Sequence, residues 1–412
     1  MRDAVVAHME ENELYSQCQH GFRKGRSCIS QLLEVMDDFT KLIDKGEAID
    51  VVYLDFAKAF DTVPHRRLLL KLDKYGIAGK LKSWIEDFLS NRVQVVKVGK
   101  ALSSESRVIS GIPQGSILGP ILFTIFINDL PDKVLSVCKV FADDTKIYNS
   151  DNNTHEIQQD LDGLMEWSDH WDLHFNATKC NVMHIGSKNR CNDYVLQQND
   201  TQSTLASCDD EKDLGVIFDK GLTFDKHINT AINKANKILG IIRRTFTDLD
   251  VDVFMQLYKG MVRPHLEYGN QIWHPYLKRQ SIAIERVQRR ATKLVNNLSD
   301  LSYRDRLTRL NLPSLKYRRL RGDLITTYKL FTNPNSNGFE RFFSNAPSTI
   351  TRNNTGKIYK EYSRTNIRKF SFSNRVIDPW NCLPTSTKTA KSLNIFKSQI
   401  DKYYRNYMFD HD

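Results

Sequence analysis

The sequence predicts an α+β protein, and three observations carry the prediction. A near-continuous apolar run, IDVVYLDF at 49–56, reads as a strand buried in a sheet. KVFADDTKIY at 139–148 is apolar, then turn, then apolar, which is the pattern of a β-hairpin. Around these lie stretches with apolar residues spaced by three and four, which read as helices connecting strands.

In chain order, helices are predicted over 3–15 and 27–45, on either side of the basic, turn-like QHGFRKGRSC. Thr62 ahead of Pro64 predicts a capped helix running to about Tyr75. A helix over 80–91, a strand over 92–99 and a strand over 104–111 follow. The Gly/Pro-rich SGIPQGSILGP then leads into a helix from about Ser116 to Asn128. Past the Asp-Asp hairpin come a helix over about 154–172 and strands near 180–186 and 213–218. From Asp225 the pattern turns helical, over 225–247, 250–262, 279–298 and about 313–331. The Asn/Ser/Pro-rich stretch 333–356 reads as a linker, and a last helix is expected over about 392–407.

At 412 residues the chain exceeds one compact core. Hydrophobic content of 40% and charged content of 26% are those of a folded, water-facing protein. The longest apolar stretch, ILGPILFTIFI from residue 117, is too short to span a bilayer and contains Gly119 and Pro120. The seven cysteines are scattered and never form a Cys-x-x-Cys pair, so neither a zinc site nor a disulfide framework is expected. With no signal-peptide pattern, the expectation is an intracellular protein, nuclear or cytoplasmic, with no membrane partner.

Charge is divided unevenly. Residues 1–225 hold 25 Lys/Arg against 35 Asp/Glu, residues 226–332 hold 21 against 8, and residues 333–412 hold 13 against 6. A basic second half implies a polyanionic partner, and nucleic acid fits better than lipid because no strongly apolar amphipathic face accompanies the charge. In 279–298, Arg279, Arg286, Arg290 and Lys293 fall along one helical face, while Ile282, Ala291, Leu294 and Val295 occupy another and are expected to pack inward. That basic face is either solvated surface or a track for phosphates.

Asp143 and Asp144 are either turn formers or carboxylates aimed at a divalent metal. Asp55, where the apolar strand ends, supplies the third carboxylate that two-metal phosphoryl chemistry needs. In SGIPQGS, Gly111, Pro113 and Gly115 fix an unusual backbone path, and Gln114 between Pro and Gly has no core role, which favours contact with a ligand. Arg23, Lys24 and Arg26 on a Gly-containing turn suit phosphate oxygens or are solvated surface charge.

These motifs line up in order with a family. QHGFRKGRS, VVYLDFAKAFDTVPH, SGIPQGSILGPILF, FADD, NATKCNVMHIG, KDLGVIFDKGLTFDKHI, YKGMVRPHLEYGNQIWHP and VIDPWNCLP resemble the reverse transcriptase of non-LTR retrotransposons, the jockey/CR1-like elements of animals. The resemblance implies a right-hand polymerase: partial fingers and palm over 1–224, a helical basic thumb over 225–332, the linker 333–356 and a small carboxy-terminal region over 357–412. It implies RNA-directed DNA synthesis, with an RNA template, a DNA primer and deoxynucleoside triphosphates as partners and Mg²⁺ (or Mn²⁺) as cofactor. Asp55, Asp143 and Asp144 match the metal-binding carboxylates. Phe60 matches the aromatic that lies beneath the incoming sugar and excludes ribonucleotides. Gln114 and Gly115 match the nucleotide-pocket segment, Arg23 a fingertip cation near the triphosphate, and Lys179 a lysine that protonates the departing pyrophosphate. Leu214, Gly215 and Val216 would lie in the primer-grip hairpin. Family members usually carry an amino-terminal endonuclease and more fingers sequence, so the expectation is a copy truncated at the amino terminus and lacking the endonuclease. Two other readings stay open: a catalytically silent nucleic-acid-binding relic, and a maturase-like RNA-binding protein.

Overall fold

The computed structural model describes residues 1–198, 201–332, 338–347 and 356–410. The chain falls into two compact units, one of residues 1–31 and 47–209, the other of 32–46 and 210–412.

The first unit is built on a five-stranded sheet. Ile49–Leu54 is its central strand, antiparallel to Asp144–Ser150 on one side and to Asn181–Ile185 on the other. Val137–Phe141 forms one edge, and the short Ala206–Ser207, parallel to its neighbour, forms the other. Ile49, Val51 and Val52 are fully buried, as a run apolar on both faces requires. Helices His65–Lys74, Gly119–Phe126 and Thr154–Trp171 share one apolar cluster with the sheet, including Leu68, Leu72, Leu122, Phe126, Leu161 and Trp167. Burying such side chains contributes roughly 1.5–3 kcal/mol each.

The second unit is mainly helical. It contains Asp225–Thr245, Lys278–Ala291, Leu315–Thr332 and Leu393–Tyr403, with a hairpin of Asp210–Asp213 and Val216–Asp219. Its interior holds a satisfied polar network: Tyr303 donates to Glu285 at 2.6 Å and Tyr258 to Gln288 at 2.6 Å.

Several local expectations are corrected. Thr62 does not cap the helix that begins at His65. It ends a short helix, Ala59–Thr62, with its hydroxyl turned back to the carbonyls of Ala57 and Lys58. Pro64, which has no N–H to lose, precedes the next helix. The strands expected over 92–99 and 104–111 are broken into two-residue pairs, Val93–Gln94 with Ser106–Arg107 and Lys97–Val98 with Ala101–Leu102, all exposed. Among the described residues, each pair forms a two-stranded sheet of its own. The strand expected over 213–218 is interrupted at Leu214–Gly215, both at positive φ, which makes the reversal of a hairpin. The paired strands Val195–Gln198 and Thr201–Thr204 had no sequence expectation. Of the expected linker, 333–337 and 348–355 lie outside the described residues, and Gly338–Phe342 is helical. Among the described residues, no helix is long and apolar enough to cross a membrane.

Candidate active site

The carboxylates come together because of the register of the central strand. Leu54 pairs with Thr145 and Phe141 with Asp144, so the end of Ile49–Leu54 runs out beside the two-residue turn Ala142–Asp143. Asp55 follows immediately. Its carbonyl accepts the N–H of Asn176 at 2.8 Å, which ties it to the segment carrying Lys179. Lys179 Nζ lies 3.3 Å from Asp55 Oδ2, with both side chains about half exposed.

Asp143 sits in the same electrostatic neighbourhood. Burial pushes its carboxyl above the usual range, the Asp55 charge pushes it further, and Lys179 pulls it back. Asp144, the first residue of its strand, is exposed. Among the described residues, no three Asp, Glu, His or Cys side chains are grouped as a ready-made metal cage. The structure therefore couples Asp55, Asp143 and Lys179, whereas it does not gather all three aspartates into one cluster. The donor set nevertheless fits a hard divalent cation. Mg²⁺ is typically held by one or two carboxylates, with substrate phosphates and water completing its coordination, and two mutually repelling carboxylates are what such a cation relieves.

The turn itself is strained and supported. Ala142 has φ of 55°, a left-handed conformation that costs a non-glycine residue of order 1 kcal/mol. Its N–H donates to Gln19 Oε1 at 3.1 Å, as does that of Gly21 at 2.6 Å. A Cβ on Gly21 would lie 2.5 Å from the Ala142 nitrogen, so only glycine lets the loop close on the turn. Gln19, buried and central to this support, was missed in the sequence, where QHG offers no signal beyond its glycine.

The SGIPQG loop is fixed to the segment just after Asp55. Ile112 N–H donates to Phe60 O at 2.7 Å, Gly111 N–H to Val63 O at 2.9 Å, and His65 Nε2 to Gly111 O at 2.7 Å. Gly111 is at φ of 89°, and a Cβ there would lie 2.6 Å from Asp61 O. Gln114 Nε2 donates to Asp61 Oδ1 at 2.9 Å, which makes Asp61 a second missed residue. Gly115 faces open space. Phe60 is half-buried and stacks on Phe123 with centroids 4.6 Å apart. Phe60 and Gln114 are thus brought to one region by the same backbone contacts.

Arg23 departs from its expected role as a presented cation. Its side chain is only 11% exposed, donates to Ser16 O at 2.9 Å, pairs with Glu10 and lies over the Tyr15 ring. Arg26 bonds Gln17 and His20, and Lys24 is the exposed cation of the turn.

The remaining candidates belong to the second unit. Leu214 and Gly215 form the hairpin turn, where Tyr268 donates to Leu214 O at 2.7 Å, and Val216 begins the returning strand. Arg279, Arg286, Arg290 and Lys293 are all exposed, as the helical spacing predicts. Arg279 pairs with Asp225 at 3.0 Å and Arg290 donates to Asn236 at 2.7 Å. Ile282 is a correction: it is 37% exposed, and Ile284 and Val287 fill the interior with Ala291 and Val295.

With this geometry in hand, residues 1–241 match the family model described as reverse transcriptase (RNA-dependent DNA polymerase), and the chain belongs to that family. It is 27% identical over 305 residues to the probable RNA-directed DNA polymerase from transposon X-element of Drosophila melanogaster, covering 71% of this chain and 33% of that protein. It is 31% identical over 289 residues to the RNA-directed DNA polymerase from mobile element jockey of Drosophila funebris, covering 65% and 31%. The chain spans about a third of the length of these curated relatives. Among solved structures, a telomerase from Candida albicans in complex with a fragment of telomeric RNA aligns at 12% identity and a TM-score of 0.43, covering 76% of this chain and 58% of that one.

Proposed function

We propose that this chain carries the polymerase portion of a retrotransposon reverse transcriptase, which adds deoxynucleotides to a primer 3′-hydroxyl on an RNA template. The observation that carries the reading is the coupling of Asp55, Asp143 and Lys179 at one end of the central strand. In this reading the five-stranded sheet is the palm, 1–224 comprises palm and partial fingers, 225–332 is the basic thumb and 357–412 a carboxy-terminal region.

Asp55 and Asp143, with Asp144 adjacent, would hold Mg²⁺ or Mn²⁺, which when bound supplies charge stabilisation to the transferring phosphoryl group. The primer oxygen gives up its proton to solvent and forms its bond to the α-phosphorus as the bond to pyrophosphate breaks. Lys179, held beside Asp55, would give its proton to the departing pyrophosphate oxygen. Gln114, fixed by Asp61, and Gly115 would line the nucleotide, and Phe60 would fill the space a ribose 2′-hydroxyl requires. Arg279, Arg286, Arg290 and Lys293 would track duplex phosphates, and Leu214 and Gly215 would contact the primer.

The test is primer extension on a primed RNA template with Mg²⁺. The wild-type chain should synthesise DNA, and Asp143→Asn, which removes one charge at nearly constant volume, should lower synthesis by several orders of magnitude while remaining folded. Undiminished synthesis by the folded variant would remove Asp143 from the chemistry.

A further inference from the structure

One surface of the first unit takes no part in the chemistry above. Helix Gly79–Leu89 buries Ile85 and Leu89, while Lys80, Trp84 and Phe88 recur at intervals of four on another side. Arg92 continues the repeat just past the helix end. Trp84 is 42% exposed, and its ring stacks on that of Phe88 with centroids 5.6 Å apart and planes within 7° of parallel. The Arg92 guanidinium carbon lies 5.9 Å from the Phe88 centroid. A cation, two parallel rings and a second cation thus make one ladder. Among the described residues neither Lys80 nor Arg92 has an ion-pair partner, whereas Lys82 on the same helix pairs with Asp73.

The ladder runs into the exposed ribbon. The Arg92 carbonyl accepts the Val108 N–H at 2.9 Å, and Val93 pairs with Arg107. Val96 and Val98 are 65% and 74% exposed, and Lys97, Lys100 and Arg107 are exposed beside them. Residues 79–108 hold six Lys/Arg against three Asp/Glu, although residues 1–225 as a whole hold 25 against 35. A positive island in an acidic region, with uncovered rings, complements a polyanion that also offers flat apolar faces. Bases in a duplex are already stacked on one another, so an unpaired strand is what such rings fit.

We propose that Lys80, Trp84, Phe88 and Arg92 form a platform for single-stranded RNA, using none of the residues assigned to the carboxylate site or to the basic face of Lys278–Ala291. Bases stack on Trp84 and Phe88, and Lys80, Arg92 and the cations of the ribbon take the phosphates. Every base has an aromatic face, so the platform holds a strand without selecting its sequence. The polymerase chemistry is not needed for this binding; membership of the family supplies only the choice of RNA as the strand.

The full chain is titrated with fluorescein-labelled oligo(U) and, separately, with a blunt RNA–DNA duplex of the same length. Trp84→Ala and Phe88→Ala should each weaken oligo(U) binding by about 5–100-fold, the usual effect of removing one stacking ring, and leave duplex binding as in wild type. Trp84→Phe, which keeps a ring, should retain most of the affinity. Lys80→Ala combined with Arg92→Ala should lower the salt slope of oligo(U) binding by about 1.4. Circular dichroism establishes that each variant is folded. Folded alanine variants that bind oligo(U) as wild type does, or that lose oligo(U) and duplex equally, would overturn the proposal. An unchanged salt slope in the double variant, whose two side chains are exposed, would do the same. No synthesis is measured, so failure here leaves the polymerase reading standing, and an inactive polymerase leaves the platform standing.

Discussion

Two of the lysine–aspartate pairs in the first unit differ in every respect except composition. Lys179 and Asp55 meet at 3.3 Å, and each is about half exposed. Lys71 and Asp129 meet at 2.5 Å, with Lys71 fully buried. The Lys71 ammonium also donates to Phe126 O and lies 3.8, 4.6 and 4.8 Å from the ring centroids of Trp171, Trp167 and Phe126. Asp129 accepts the Trp167 indole N–H at 2.9 Å. The enclosed pair has spent its hydrogen-bonding capacity on the fold, while the open pair keeps its charges where a substrate can use them. A charge serves structure when its surroundings are complete, and chemistry when they are left incomplete.

That contrast can be tested by truncating each lysine. Lys179→Ala should lower DNA synthesis by about 10²–10⁴-fold, the usual contribution of a positioned proton donor. It should change stability by less than about 1 kcal/mol, because exposed ion pairs contribute little. Lys71→Ala should do the reverse. Removing one partner of a buried pair costs about 3–5 kcal/mol, read as a lower denaturation midpoint, while synthesis per folded molecule remains close to wild type. If both variants lost stability equally, the distinction between the pairs would fail.

Phe60 lies between these extremes, stacked on Phe123 yet not fully covered. Phe60→Val should remain folded, at a cost below the roughly 3–5 kcal/mol of a fully buried Phe→Ala change. Its incorporation of ribonucleotides relative to deoxynucleotides should rise. A folded variant that excludes ribonucleotides as well as wild type would assign the ring to packing alone.

The smallest expected effect is one of pH. Burial holds Lys71 down at about 8 against an ordinary value of 10.5, partly offset by Asp129. Between these values the unfolded chain binds a proton that the folded chain has released, so stability rises with pH across this window. Tyr15 and Tyr75, pushed up to about 12 by burial, act in the opposite direction only above their ordinary value of 10.0. From about pH 8 to 9.5, chemical denaturation should show the stability of wild type rising by about 1–2 kcal/mol relative to that of Lys71→Met, a comparison in which the other groups that titrate in this window cancel.

What could be read from the sequence was what local chemistry dictates. The strand at 49–54 and the hairpin around Asp143 followed from apolar runs and turn residues, and the basic face of Lys278–Ala291 followed from helical spacing. Features determined by distant contacts were invisible. Leu214–Gly215 lacks the Asn-Gly signature of a tight hairpin, and the turn is held instead by Tyr268, far along the chain. The polar strands Val195–Gln198 and Thr201–Thr204 show no apolar alternation. Arg23 resembles a free cation until Glu10, Ser16 and Tyr15 are in place around it. Gln19 and Asp61 act only through partners that the fold brings to them.

The left-handed Ala142 has a consequence for the order in which the molecule assembles. A hairpin closes locally and quickly, but this one carries a strained residue whose N–H donates to Gln19, more than a hundred positions earlier. Closing so long a loop has an entropic cost that precedes its reward, so the turn that orients Asp143 should mature after the strands it joins. In pulse-labelled hydrogen exchange during refolding, the Ala142 amide should gain protection together with Gly21, and later than Ile147 in the neighbouring strand.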